Sequence, residues 1–299
     1  MAILNFELAL KVFDKNVALQ KQRAYSDASI IEMIDKKVIH TREVINDGNK
    51  VINKLGFNES FKLLSLLAFL NHDIGRFMQA RLTKSFEDIK LTEMGLGDHG
   101  HLGKLILLLG VINEEIPDTR TFDGVITDVV NNHVSMTVNE QDLSILNDNI
   151  LNCDAEQFYL YADQNTKNCF TNALTQIVQD VDRLDIYHQI LDGRWSPSTS
   201  DDKINSLVFK RFYKGEYLNI NELKTLGVWN PNVGDLVRLS FIDDIKLYSV
   251  AKVIVEERII ERLKEMRNNP HLLDAFDYTK EKLEKRMKKS DGIVLTKHK

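Results

Sequence analysis

The sequence contains few of the residues that interrupt or cross-link a chain. Its 299 residues include only 4 prolines, 14 glycines and 2 cysteines. Scarce proline and glycine leave long stretches free to form helices. The two cysteines, Cys153 and Cys169, provide neither a disulfide framework nor a zinc knuckle, so the composition favours a reducing compartment.

Long apolar runs are also missing. LLSLLAFL and LILLLGVI are the longest, and both are far shorter than the roughly 18–20 residues that a membrane span requires. The first residues, MAILNFELALKVFD, lack the basic flank and the small-residue cleavage site of a signal peptide. We therefore expect a cytoplasmic protein without a membrane partner.

The chain has no excess of positive charge. Its net charge of −5 provides no basic surface for duplex nucleic acid. A nucleotide substrate is still compatible with this charge, because one local cationic pocket would suffice. With 43% hydrophobic and 28% charged residues, the composition is that of a globular protein with a substantial core.

Helical periodicity dominates the pattern that is present. Apolar residues recur at spacings of three and four, and few segments show the strict alternation of strands. Helices are predicted over 28–55, 59–73, 120–133 and 166–192. Ser60 would cap the second of them, and Asp98 precedes HGHLGKLILLLGVI as an N-cap would.

One stretch is more loop-like than the rest. Residues 195–215, WSPSTSDDKINSLVFKRFYKG, contain a proline and several turn formers, and a strong helical pattern returns after them. Its aromatic side chains would form a lid over a pocket or pack on their own domain. We predict an all-α fold, with one helical domain over 1–192 and a C-terminal helical extension over 193–299 packed on the same domain.

Histidines and aspartates interrupt the predicted helices at their apolar faces or ends. They occur in the order His40, His72-Asp73, His99 with His101, His133, and the aspartates of DVDRLD. Neutral imidazole and carboxylate are the ligands that divalent Fe, Mn, Zn, Co and Ni accept. No thiolate occurs at these positions, which argues against a structural zinc site.

Each of these residues also has an ordinary structural explanation. His40 alone would more often be a surface or satisfied core residue, and His72-Asp73 would simply close a helix. His133 would favour the dipole at a helix end, and Asp182 would be one of three solvated acids. Five independent coincidences in one order are harder to accept than one shared site, so the pattern favours a metal centre.

The order H…HD…H…H…D resembles the HD superfamily of metal-dependent phosphohydrolases over residues 25–190. His40, the doublet His72-Asp73 in NHDIGR, and Asp182 in DVDRLD match the four ligands of that family's primary metal site. The family's last ligand directly precedes Lys or Arg, which selects Asp182 over the two other aspartates of its stretch. The resemblance implies an HD-domain helical bundle with additional C-terminal helices.

Two further histidines match family members that hold a second metal. His99 is followed four residues later by Gly103, as in the family pattern, and is therefore preferred to His101. His133 completes the pair, although some binuclear subfamilies have two adjacent histidines at that point. Arg76 stands where the cyclic-dinucleotide phosphodiesterases usually have Lys, and no GYP follows, so that branch is not assigned.

The resemblance implies two divalent metal ions, drawn from Fe, Mn, Zn, Co, Ni or Mg, that share the carboxylate of Asp73. The first would be completed by His40, His72 and Asp182, and the second by His99 and His133. A metal-activated hydroxide would then attack phosphorus in a phosphate mono- or diester. Nucleotides are the family's usual substrates.

Cationic side chains near these ligands are candidates for holding the phosphate. Arg76 is the leading candidate, because it follows the doublet by about one helical turn and offers a planar fork. Arg183, next to Asp182, and Lys104 are weaker candidates. The ordinary alternative is that Arg76 pairs with an acid such as Asp73 and that Arg183 is solvated.

Two other functions would use the same residues. Diiron oxygenases related to the HD fold carry a similar six-ligand site, so the ligands alone do not separate hydrolysis from oxygen activation. A degenerate HD domain would bind a nucleotide without turnover. All six ligands are present in the sequence, which favours an enzyme over such a sensor.

Overall fold

The computed structural model of the chain describes residues 6–112, 123–134, 136–138, 140–146, 154–194, 202–290 and 295. The regular elements of these residues are all helices, and Leu247 forms an isolated bridge. The predicted all-α fold is therefore confirmed. Among the same residues, no helix combines the length and the apolar character needed to cross a membrane.

Contacts between Cα atoms divide the chain into an N-terminal unit, Met1–Val181, and a C-terminal unit, Asp182–Lys299. The helices, in chain order, are α1 (Phe6–Arg23), α2 (Ala28–Leu55), α3 (Glu59–Asn71), α4 (Ile74–Thr83), α5 (Asp88–Glu93), α6 (His99–Ile112), α7 (Asp123–Asn132), α8 (Glu140–Leu143), α9 (Ala155–Tyr161), α10 (Gln164–Leu191), α11 (Ser206–Tyr213), α12 (Ile220–Thr225), α13 (Pro231–Asp244), α14 (Tyr248–Glu256), α15 (Ile259–Arg267) and α16 (Leu273–Lys289). The division falls within α10, and the domain boundary at residue 192 stays a prediction.

Helix α2 has the bounds that its apolar periodicity predicts, and both of its ends are capped. The side chain of Asp27 accepts hydrogen bonds from the backbone of Ser29 and Ile30. Gly56 ends the helix in the left-handed region, with φ of 75°, where glycine has no steric penalty. Its N–H donates to the carbonyl of Asn53.

The helix predicted over 59–73 is present but ends two residues earlier, before the His72-Asp73 doublet. Helix α3 ends at Asn71 and α4 begins at Ile74, so the doublet lies in the break between them. The predicted cap at Ser60 is wrong, because the N-cap is Asn58, whose side-chain oxygen accepts from the N–H of Phe61. Ser60 instead donates its hydroxyl to the same oxygen.

The loop prediction for 195–215 is wrong over Ser206–Tyr213, which form α11. Asn205 caps this helix by accepting from the N–H of Leu207, and Val208 and Phe212 are buried. The turn-forming residues that suggested a loop precede this cap, and 195–201 lie outside the described residues. A short helix held by a cap and two buried side chains gives too little periodicity to be read from sequence.

Helices α2 and α3 pack closely through a glycine. A Cβ added to Gly48 in α2 would lie 2.2 Å from Cε2 of Phe69 in α3. Phe69 is completely buried, so its ring has no free space to move into. The glycine therefore sets the distance between the helix that carries His40 and the helix that ends at the doublet.

A second glycine allows α4 to approach α6. A Cβ on Gly75 would lie 2.0 Å from the carbonyl oxygen of His99 and 2.7 Å from the backbone nitrogen of Gly103. Both neighbours are backbone atoms, which cannot move aside as a side chain can. The glycine that follows the doublet by two residues thus brings the first residue of α6 beside Asp73.

The C-terminal unit has its own core, to which α13, α15 and α16 contribute Leu236, Leu263 and Phe276. Arg286 of α16 is buried and donates to the carbonyl oxygens of Ile242 and Ile245 at the end of α13. Carbonyls at a helix end have no partner within the helix. The guanidinium satisfies them and ties α16 to α13.

We expect Gly48→Ala to lower the free energy of unfolding by about 1–3 kcal/mol, because the added methyl collides with the buried ring of Phe69. Urea denaturation would measure the change. Gly124→Ala is the matched control, since Gly124 lies on a helix with no atom within 4 Å of the added Cβ, and helix propensity alone should stabilise it by up to about 1 kcal/mol. Equal stability of Gly48→Ala and wild type would contradict the packing argument.

Candidate metal centre

Four imidazoles surround the carboxylate of Asp73, two at each oxygen. On the Oδ2 side, Nε2 of His40 lies 3.4 Å and Nε2 of His72 3.7 Å from Oδ2. On the Oδ1 side, Nε2 of His99 lies 3.3 Å and Nε2 of His133 3.8 Å from Oδ1. We refer to these five residues as the Asp73 centre.

The five residues of the Asp73 centre come from four positions in the N-terminal unit. His40 lies within α2, the doublet lies between α3 and α4, His99 begins α6, and His133 directly follows α7. All five are buried. Buried imidazole and carboxylate groups require polar partners, and here they supply them to one another.

The outer nitrogens of three rings fix how the rings are oriented. Nδ1 of His72 lies 2.7 Å from the carbonyl oxygen of Phe69, and Nδ1 of His133 lies 2.6 Å from that of Val130. A carbonyl oxygen only accepts, so each Nδ1 must carry the proton. His99 makes the equivalent bond to the carboxylate of Asp88, at 2.9 Å. In a neutral ring, Nε2 then points its lone pair into the centre.

The inward nitrogens lie close together in pairs. Nε2 of His99 and of His133 are 3.2 Å apart, and Nε2 of His72 and of His40 are 3.3 Å apart. His99 and His133 both carry the proton on Nδ1, so as neutral rings they cannot share a hydrogen bond at Nε2, and their lone pairs repel. Two imidazoles bound to one tetrahedral metal ion at about 2.0–2.1 Å would have nitrogens about 3.3 Å apart. The donor set therefore fits a divalent metal ion on each side.

Two groups of residues among those described have ligand atoms within 4.8 Å of one another and are able to hold a metal ion. The first is His40, His72 and Asp73, and the second is Asp73, His99 and His133. Asp73 belongs to both groups and faces each with a different oxygen. Asp73 is therefore shared by two groups that are each able to hold a cation.

Asp73 is held in its ionised form. Burial raises the pKa of its carboxyl, but the Lys37 ammonium and the surrounding imidazoles outweigh burial and hold the pKa well below its usual range. Lys37 makes the shortest of these contacts, with Nζ 2.6 Å from Oδ2. An ionised carboxylate is the form that binds metal.

Asp88 supports the Oδ1 side from behind. Besides the ring of His99, it accepts a hydrogen bond from Nη1 of Arg76 at 3.1 Å. Burial raises the pKa of Asp88, but its bonds with His99 and the charge of Arg76 outweigh burial, so the pKa is lower than usual. A carboxylate behind a ligating imidazole orients the ring and increases its basicity.

Arg76 helps to hold Asp88 in place behind His99. Its Nη1 also donates to the carbonyl of Phe86 and to the side chain of Gln79, each at 2.7 Å. Its Nε lies 3.6 Å from Oδ1 of Asp73. Arg76 thus lies beside the Asp73 centre, and its predicted contact with phosphate stays a prediction.

The other sequence-predicted residues have local partners of their own. Lys104 lies 3.1 Å from a carboxylate oxygen of Asp128. In the C-terminal unit, Arg183 contacts the carbonyl of Asp244, and Asp182 is half-buried at the start of that unit. The ligand role of Asp182 and the phosphate roles of Arg183 and Lys104 stay predictions. His101 is exposed, whereas His99 is in the Asp73 centre.

Two functional residues were missed by the sequence analysis. Lys37 precedes His40 by three residues, which places both on one helix face, and this spacing was the available signal. Asp88 lies on α5, 11 positions before His99, and no periodicity links the two.

Comparison of the chain with protein-family models, with curated proteins and with solved structures finds no match.

We expect Asp88→Asn to weaken Mn²⁺ binding on the Oδ1 side by about 10–100-fold, because His99 loses the carboxylate that holds its Nδ1 proton. Titration calorimetry on metal-stripped protein would measure the affinity. Glu87→Gln, which removes a charge from the adjacent exposed residue, is the control and should bind as wild type does. Unchanged affinity in Asp88→Asn would show that Asp88 does not support the centre.

Proposed function

We propose that this chain is a metal-dependent phosphohydrolase of the HD superfamily, with an HD-type helical bundle, that hydrolyses a phosphate mono- or diester in the cytoplasm. Nucleotides are the substrate class that analogy with the family suggests. The observation that carries the proposal is the position of Asp73, whose two oxygens each face a pair of imidazoles. A carboxylate between two nitrogen pairs suits the two-metal form of hydrolysis.

The donor set narrows the choice of metal. The clustered ligands are imidazole nitrogens and carboxylate oxygens without thiolate, which suits divalent Fe, Mn, Co, Ni or Zn. Mg²⁺ prefers oxygen ligands alone and fits this set least well. Two bound ions would supply Lewis acidity, which makes water more acidic and neutralises phosphoryl oxygens. Asp182 is the additional ligand that the sequence pattern assigns to the Oδ2 side.

The charge around the Asp73 centre favours an anionic substrate. Lys37 Nζ lies 5.6 Å and the Arg76 guanidinium 5.9 Å from the centre of the Phe86 ring, so two cations flank one half-buried aromatic side chain beside Asp73. Cations near a phosphoryl group stabilise the charge that it carries. This feature supports an anionic substrate, such as a phosphate ester.

Protein loaded with Mn²⁺ is expected to bind two ions per chain and to hydrolyse p-nitrophenyl phosphate or its bis ester. His72→Ala should lower kcat by more than about 100-fold, because the Oδ2 side loses a ligand. His99→Ala should reduce the metal content to one ion. His101→Ala is the control, since it removes an exposed imidazole from the same helix as His99, and it should retain both metal and activity.

The alternatives are distinguished by this experiment, by spectroscopy of the metal in the protein as purified, and by nucleotide binding. Full metal content and activity in His72→Ala would contradict the assignment of the centre, and one ion per chain, unchanged by His99→Ala, would contradict the binuclear form. A mixed-valent diiron signal with oxygen consumption would identify an oxygenase. Tight nucleotide binding without hydrolysis of mono-, di- or cyclic esters would identify a sensor.

A further inference from the structure

Lys37 makes the closest contact to the Asp73 carboxylate. Its ammonium nitrogen lies 2.6 Å from Oδ2, the oxygen that faces His40 and His72. It lies nearer to that oxygen than either imidazole does. The cation nearest to the Oδ2 side is therefore part of the chain itself.

A metal ion on the Oδ2 side would bind to the same carboxylate oxygen that accepts the hydrogen bond from the ammonium. A divalent ion bound to a carboxylate oxygen lies about 2.0–2.2 Å from it, and an ammonium in hydrogen-bond contact with the same oxygen would remain only a few ångströms away. Repulsion between a single and a double positive charge at such a distance is large in a buried site, where solvent screens little. Direct contact of the ammonium and a metal ion with Oδ2 at the same time is therefore unfavourable.

Lys37 is able to leave this contact without disturbing the core. Its side chain is 21% exposed, whereas that of Asp73 is 5% exposed, so the lysine is more accessible to solvent than the carboxylate that it contacts. Nζ already lies over the ring of Phe86, 5.6 Å from its centre, and this cation–π contact does not depend on the bond to Asp73. A lysine stem has the rotatable bonds needed for such a movement.

We propose that the Lys37 ammonium competes with a divalent cation for Oδ2 of Asp73, so that metal binding on the Oδ2 side requires Lys37 to leave that oxygen. Lys37 is a positioning residue that sets the metal affinity of one side of the centre. The Oδ1 side differs, because the guanidinium beside it, with Nε of Arg76 3.6 Å from Oδ1, is held by Asp88. The inference rests on the metal centre of the proposed function and does not depend on hydrolysis.

Lys37→Met tests the competition, since it removes the charge and keeps the length of the side chain. In a His99→Ala background, which leaves the Oδ2 side as the metal site, we expect Lys37→Met to tighten Mn²⁺ binding by at least about tenfold in titration calorimetry. Lys37→Arg retains the charge and should not tighten it. Lys36→Met, on the neighbouring exposed lysine of α2, should bind as the His99→Ala parent does. Unchanged or weaker binding in Lys37→Met would overturn the proposal.

A second measurement is made on the wild-type chain, so its result does not depend on whether a variant folds. Nitrogen NMR of 15N-labelled lysine would follow the Lys37 ammonium, with Lys37→Arg used for its assignment. Saturation with diamagnetic Zn²⁺ should shift this signal and speed its proton exchange as the ion pair with Asp73 breaks. A signal that stays unchanged at saturation would overturn the competition. Tightened metal binding without hydrolysis of any phosphate ester would uphold the competition and reject the phosphohydrolase.

Discussion

The buried negative charge of Asp73 is the constraint on which the N-terminal unit depends. A buried carboxylate is costly unless cations and hydrogen-bond donors surround it. The ammonium of Lys37 supplies the nearest positive charge, and four imidazoles surround the carboxylate and are able to share it with a bound cation. These side chains come from segments far apart in sequence, so the packing of α2, α3, α4, α6 and α7 has to bring their positions together. Fold and candidate site therefore share one electrostatic requirement.

Much of this arrangement could be predicted from the sequence, because the signals involved are local or come in a recognisable order. The apolar stripe of Ala28–Leu55 predicts α2 with the bounds that the structure shows. The histidines and Asp73 were selected by their order along the chain, and the structure groups His40 and His72 on one side of Asp73 and His99 and His133 on the other. Residue order predicts this grouping because each of these side chains lies at a helix end or on a helix face.

The features that the sequence did not indicate depend on contacts across space. Asp88 supports His99 through a single hydrogen-bonded pair, and nothing in the periodicity of a six-residue helix marks that partner. Lys37 shares a helix face with His40, but that spacing becomes informative only when the position of Asp73 is known. Ser206–Tyr213 formed a helix within an expected loop, because one cap and two buried side chains outweighed the nearby turn formers. In each case tertiary contact decided the outcome.

Gly75 gives the two sides of the centre different mechanical properties. Because backbone meets backbone between α4 and α6, hard contacts and not side-chain rotamers set the distance between the backbone segments that carry Asp73 and His99. Thermal motion should therefore move these two residues as one body. The Oδ2 side instead includes a long lysine stem with access to solvent. The same carboxylate thus joins a stiff half, which keeps its shape, to a compliant half, whose composition changes with the cation that it holds.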